Sequence, residues 1–182
     1  MNKPTRMHRS GAAMLAVPMM MVLMGAAPTL KAQAGIEVLS GKPFDSAFVK
    51  DFYLEGNSIP TERRNAALIK TASGARVEFA LLDTSGYSSA VQQKYSGMMI
   101  SEGSISVCGV KLGVGSYGFG TKLPHPSGSG EAQVFFYDQA GTKLGECSTS
   151  KDTQLKTPKP LQVTVTGGKA RLYLGVYGLD LE

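Results

Sequence analysis

The chain has 182 residues, with 19 Lys+Arg against 14 Asp+Glu, 22 Gly, 2 Cys and no Trp; 42% of positions are hydrophobic and 18% are charged. These proportions exclude a disordered tail, a collagen-like repeat, a coiled coil and a disulfide-packed miniprotein. They fit one ordinary domain, with a formal net charge of +5 whose placement along the chain decides what it means.

Residues 1–34 read as a secretory signal peptide. Lys3, Arg6 and Arg9 form a basic head without an acid, an apolar run extends from Gly11 to Ala27, and Ala32-Gln-Ala34 supplies an A-x-A cleavage site. The apolar run contains Pro18 and falls short of the ~20 residues that a membrane-spanning helix needs. Cleavage after Ala34 leaves residues 35–182 as a single domain carrying 15 Lys+Arg and 14 Asp+Glu. The positive charge therefore belongs mostly to the leader. The rest of the chain has no basic stripe to neutralise phosphates, and nucleic acid is not an expected partner. The expected location is periplasmic or extracellular, with no stable membrane insertion once the leader is gone.

From Ile36 onward the pattern is that of strands and turns. Short strands are predicted at 36–39 and 50–54. The segment Asn57 to Asn65 is polar and contains Pro60, so it reads as a loop. Its adjacent Arg63 and Arg64 are candidate ligands for an anion or carboxylate, and a solvated connector is the competing reading. Strands at 65–71 and 76–83 flank Ala72-Ser-Gly74 as a hairpin, with Val77, Phe79 and Leu81 on one face. A helix is predicted over 88–95 because Tyr87, Val91 and Tyr95 recur every four residues, Ser and Asp residues precede it, and Gly97 can end it. Further strands are predicted at 98–101, 104–108 and 115–122.

Two motif matches lie in this region. Gly113-Val-Gly115-Ser-Tyr-Gly118 spells a dinucleotide fingerprint, but residues 119–123 after it are strand-like and are broken by Pro124, so a Gly-rich turn is the better reading. Gly86-Tyr-Ser88-Ser-Ala90 resembles a nucleophile elbow, yet His125, in the loop 123–130, is the only histidine after the leader. Helix capping accounts for Ser88 more simply. No cofactor or metal motif is recognisable. Glu55, Asp83, Glu102 and Glu131 are eligible as paired carboxylates only in the sense that any 14 acids are.

The C-terminal third has the clearest signals. Gln133–Tyr137 and Thr142–Ser148 form a hairpin closed by Asp138-Gln-Ala-Gly141, with Leu144 expected opposite Phe136. Thr157-Pro-Lys-Pro160 reads as a stiff connector. Leu161 to Thr166 alternates apolar and polar residues, Gly167-Gly168 is a two-residue turn, and Lys169 to Val176 returns. Pairing Thr166 with Lys169 sets Val163 opposite Leu172, Leu161 opposite Leu174 and Gln162 opposite Tyr173. Tyr173 then points away from the apolar face. Together with Arg171 and Tyr177 it forms a candidate binding patch, unless the helix at 88–95 packs over that sheet. Cys108 and Cys147 are either one disulfide or two separate buried thiols.

The fold expected is mainly β: a two-layer antiparallel sandwich or jelly-roll-like domain with one short helix. The stretch Gly97-Met-Met-Ile-Ser-Glu-Gly103-Ser-Ile-Ser-Val107, followed by Leu112-Gly-Val-Gly-Ser-Tyr117-Gly-Phe119, resembles exported bacterial β-sandwich proteins of unknown function. Its G-x-Y turn is similar to those of Ig-like and transthyretin-like secreted modules. The resemblance implies a β-sandwich and brings no functional residues with it. The expected function is that of an exported, non-catalytic module that binds a protein, glycan or cell-envelope component through a sheet face or loops. The alternative is a small exported hydrolase using loop carboxylates.

Overall fold

The computed structural model describes residues 35–124 and 130–182. The expected signal peptide 1–34 and His125 lie outside the described residues. In chain order the elements are β1 (Glu37–Leu39), α1 (Lys42–Ala47), β2 (Asp51–Leu54), β3 (Asn57–Lys70), β4 (Arg76–Leu82), α2 (Ser89–Lys94) and β5 (Gly97–Ser101). They continue with β6 (Ile105–Val107), β7 (Val110–Leu112), β8 (Gly115–Lys122), β9 (Ala132–Tyr137) and β10 (Lys143–Thr149). The last are β11 (Lys159–Thr166), β12 (Lys169–Gly175) and β13 (Tyr177–Leu181).

The strands form two antiparallel sheets. One runs β1-β3-β4-β5-β8-β9-β10 with β2 also paired to β3; the other runs β11-β12-β13-β6-β7. Their inner faces meet in one apolar core. Val77, Phe79, Met99 and Phe119 come from the first sheet, and Val107, Leu172 and Leu179 from the second. This is the β-sandwich that period-2 alternation predicts.

The final hairpin has the register the sequence dictates, from Thr166 opposite Lys169 to Leu161 opposite Leu174. Gly167 and Gly168 take φ of 59° and 78°, the pair of positive values a type I′ turn requires. Two further hairpins use the same turn with a non-glycine first residue: Glu55 (φ 49°) before Gly56, and Cys108 (φ 52°) before Gly109. Neither carries the usual Asn-Gly or Asp-Gly pair, so the local sequence does not announce β7. Nor does it announce β13, which pairs back onto β12 after Gly175.

Other differences from expectation have local causes. Asn57–Asn65 is strand, not loop. Pro60 fits because it stands opposite Asp51 at a position whose missing N–H faces away from β2, counting from the two-residue turn. α1 is an addition to the single helix expected; Pro43 and Asp45 in its first turn are its start signals. Gly97 does not end α2, which stops at Lys94 with Tyr95 as its C-cap, but opens β5 opposite Phe119. In the β9–β10 hairpin a bulge places Gly145, not Leu144, opposite Phe136, and Leu144 is left exposed. The stiff connector gives way early, since β11 already begins at Lys159.

A partial third layer covers the outer face of the first sheet. Phe52, Leu54 and Ile59 of the β2–β3 hairpin pack with Val91 and Tyr95 onto Ala80, Leu82 and Met98. The hairpin crosses the sheet, and its tip docks on the β9–β10 turn, where the Glu55 N–H donates to the Gln139 carbonyl at 2.9 Å. Gly118 of β8 permits this approach. A Cβ there would meet the Tyr95 ring at 2.7 Å and Leu54 at 3.0 Å. α2 therefore covers the first sheet and not the β11–β12 face.

Candidate functional site

Arg63 and Arg64 lie in the middle of β3, where the register to β4 shifts between Thr61 and Ala66. Both residues line the cleft where the edges of the two sheets come together. That cleft, of about 300 Å³, is lined by Val38 to Gly41, Phe44, Arg63, Arg64, Ala66, Ala67, Lys159, Leu161, Gln162 and Val163. Its floor is apolar and its charged lining is all cationic. Arg63 is held: it pairs with Asp45, and its guanidinium lies 5.2 Å and 5.4 Å from the Phe44 and Phe48 ring centroids. Arg64 and Lys159 form no ion pair among the described residues, and both are exposed. The reading of Arg63 and Arg64 as a carboxylate-ligand pair therefore gains Lys159, which sequence reasoning missed because a connector hid the start of β11.

Arg171, Tyr173 and Tyr177 are brought together, but their groups are engaged. Tyr173 is 5% exposed and Tyr177 7% exposed, so neither ring offers a stacking surface. The cover is the segment after β10 and not α2. Lys151 bridges to Tyr177, and the Asp152 N–H donates to the Val176 carbonyl at 2.8 Å. The Tyr173 hydroxyl donates to Asp152 Oδ2 at 2.6 Å and the Gln154 N–H donates to Oδ1 at 2.9 Å. These bonds hold the Asp152 carboxyl below the usual carboxylate range, the Tyr173 hydroxyl contributing most. Arg171 completes the group, with Nη1 3.2 Å from Asp152 Oδ2 and Nε 2.7 Å from Asp180 Oδ1; the latter is an ion-pair contact without hydrogen-bond alignment. The arrangement fastens a crossing segment to a sheet.

The four acids considered for hydrolysis are held by separate neighbours. Glu55 accepts from Lys94 and from the Tyr95 hydroxyl at 2.9 Å, which lower its pKa. Burial raises the Tyr95 hydroxyl to about 12, with the Glu55 hydrogen bond acting in the same direction. Asp83 accepts from the Ser85 hydroxyl at 2.6 Å, Glu102 from Arg76 Nε at 3.0 Å, and Glu131 from the Ser150 hydroxyl at 3.1 Å. Ser88 caps α2, its Oγ accepting from the Val91 N–H at 3.4 Å. Only Gly113 and Val114 precede β8, and Gly115 to Gly118 are already its first residues, paired to β5.

One buried acid escaped the sequence reading. Glu78, on the outer face of β4, is 4% exposed, and Oε1 accepts from the Val49 N–H at 3.1 Å. Burial pushes its pKa up to about 7, against the weaker opposing pull of that N–H.

Cys108, in the β6–β7 turn, and Cys147, in β10, form a disulfide with Cα atoms 6.1 Å apart. It ties one edge of the first sheet to one edge of the second. Among the described residues no helix is long and apolar enough to cross a membrane. Comparison with protein-family models, curated proteins and solved structures finds no match.

Proposed function

We propose that this protein is exported by its 1–34 leader and acts as a non-catalytic binding module for an anionic component of the cell envelope. The observation that carries the reading is the cleft between the sheet edges. Arg64 and Lys159 there have no ion-pair partner among the described residues, and no acid lines the space. Unpaired cations beside an apolar floor are a recognition surface for carboxylates, because Arg presents a fork of donors that a carboxylate oxygen pair matches. Clamping of Arg63 by Asp45 and two phenylalanine rings leaves Arg64 and Lys159 as the recruiting groups. The disulfide suits a protein exported to an oxidising compartment.

The test is a ¹H–¹⁵N titration of residues 35–182 with triglutamate and with trilysine. Triglutamate should shift the amides of Arg63, Arg64 and Lys159, trilysine should not, and Arg64→Glu should abolish the response. Shifts scattered over the surface, or equal for both probes, reject the reading.

A further inference from the structure

A second candidate ligand site lies on the outer face of the first sheet, around Glu78. This residue is 4% exposed and lines a cavity of about 260 Å³. Leu68 of β3 and Ile100 of β5 stand beside it in register and form apolar walls. α1 and the segment after it contribute Ser46, Ala47 and Val49 to the same space.

The two oxygens of the Glu78 carboxyl have different partners. Oε1 accepts from the Val49 N–H at 3.1 Å. Oε2 accepts from no donor among the described residues, and it is not fully occluded: among those residues Arg171 Nε is the one occluded side-chain atom without a hydrogen bond. The access that Oε2 retains is therefore toward the cavity that Glu78 lines. A carboxylate placed this way has lost most of its water, and only one of its oxygens is compensated.

The charges around the cavity define its complement. Arg76 and Glu102 also line it, but they cancel: Arg76 Nε lies 3.0 Å from Glu102 Oε2 and Nη2 lies 2.5 Å from Oε1. Asp45 of α1 pairs with Arg63, and Lys50 and Asp51 are exposed outside the lining. One carboxyl is left, and one positive charge balances it. A divalent metal needs more oxygen ligands, and among the described residues no three metal-binding side chains come together. A guanidinium needs both carboxylate oxygens for its fork, and Oε1 is taken. An ammonium needs only one. Ser46 Oγ, which donates to the Pro43 carbonyl at 3.1 Å, keeps its lone pairs for a second ammonium N–H. The cavity equals about eight waters at ~30 Å³ each, which is room for an ammonium head with about four carbons.

We infer that this cavity binds a primary alkylammonium group, with Glu78 Oε2 as its counter-ion and Leu68 and Ile100 against its chain. A free amine and the lysine side chain of another protein share this chemistry, and the experiment separates them. The assignment does not rest on the anion-binding reading, because neither Arg64 nor Lys159 lines this cavity.

The probe is n-butylammonium, titrated against the purified protein by calorimetry, with the Glu78 carboxyl followed by ¹³C NMR. It should shift that carboxyl and the methyl groups of Leu68 and Ile100. Butanol, of equal length and uncharged, should bind about tenfold more weakly or worse. Affinity for the amine should fall by about tenfold or more from about pH 8 to about pH 5, as Glu78 takes up its proton. Glu78→Gln should remove the response while the amide spectrum stays native. Ala47→Leu, which fills the cavity and leaves the carboxyl in place, should remove it too. Arg64→Glu should leave it intact, so failure here and failure of the anion cleft are separate results. Acetyl-lysine methylamide identifies the source: tighter binding than butylammonium assigns the site to a lysine side chain, weaker binding to a free amine. Equal binding of butanol, a response that survives in Glu78→Gln, or no shift at Glu78 with millimolar amine overturns the assignment.

Discussion

Among the described residues, Glu78 is the only buried acid, and its environment makes a pH-dependent contribution to stability. Its carboxyl borders a cavity of about 260 Å³ beneath α1, together with Arg76 and Glu102, which are paired with each other. No cation is left over to neutralise Glu78, so the neutral acid is the form the fold prefers. A carboxyl raised from 4.5 to about 7 stabilises the fold fully below about pH 4.5 and loses that contribution as pH rises through about 7. Glu78→Gln should flatten the dependence of unfolding free energy on pH across that window. It should also raise stability above pH 7 by roughly 2–3 kcal/mol, as read from urea midpoints at several pH values. An unchanged slope would show that another group titrates. The sequence does not reveal this residue. Glu78 stands in a strand whose other face is apolar, so alternation alone assigns it to solvent. Only the packing of α1 and the Val49 segment over the outer face buries it. Tyr173 shows the converse: its direction away from the core follows from register, and its burial does not.

The elements differ in how well local rules describe them. The β11–β12 hairpin is legible because turn type and alternation agree on one register, and a slip of one residue would turn every apolar side chain outward. The β2–β3 hairpin is not legible. Its turn is Glu55-Gly56, its second strand begins polar, and its apolar residues serve the outer face of the sheet that β3 itself continues into, formed by β4 and β5. Gly118 is a parallel case: a residue that looks like part of a phosphate-binding fingerprint is a glycine on which Tyr95 and Leu54 rest. Gly118→Ala should destabilise the protein by about 1–3 kcal/mol through overpacking, with an unchanged denaturant slope. Amide exchange should accelerate first in β2 and α2, because the added methyl lifts that layer and leaves the sandwich core alone. Uniform acceleration throughout the molecule would contradict the layered account.

At the scale of the molecule, the two sheets are held together by the apolar core and, at one side, by the Cys108–Cys147 bond. The cysteines are 39 positions apart, and closing a loop of that size removes unfolded-state entropy worth about 4 kcal/mol. The double variant Cys108→Ala with Cys147→Ala should therefore lose a few kcal/mol in equilibrium unfolding, and dithiothreitol should shift the wild-type protein toward the same value. A variant as stable as the parent under oxidising conditions would mean that the core alone fixes the sheet packing. The side opposite the disulfide carries no covalent tie, and there the cleft between β3, β1 and β11 stays open to a ligand.

The linear pattern of residues determined the fold class, most strand positions, α2 and the register of the last hairpin, because each arises from interactions between residues near in sequence or from period-2 burial. It also singled out Arg63 and Arg64 as candidates, as residue types suited to carboxylates. Tertiary packing alone decided that Lys159 joins them, that Tyr173 and Glu78 are covered, and that the two thiols meet. Each of these depends on which distant segment occupies the neighbouring space, and local periodicity carries no record of that.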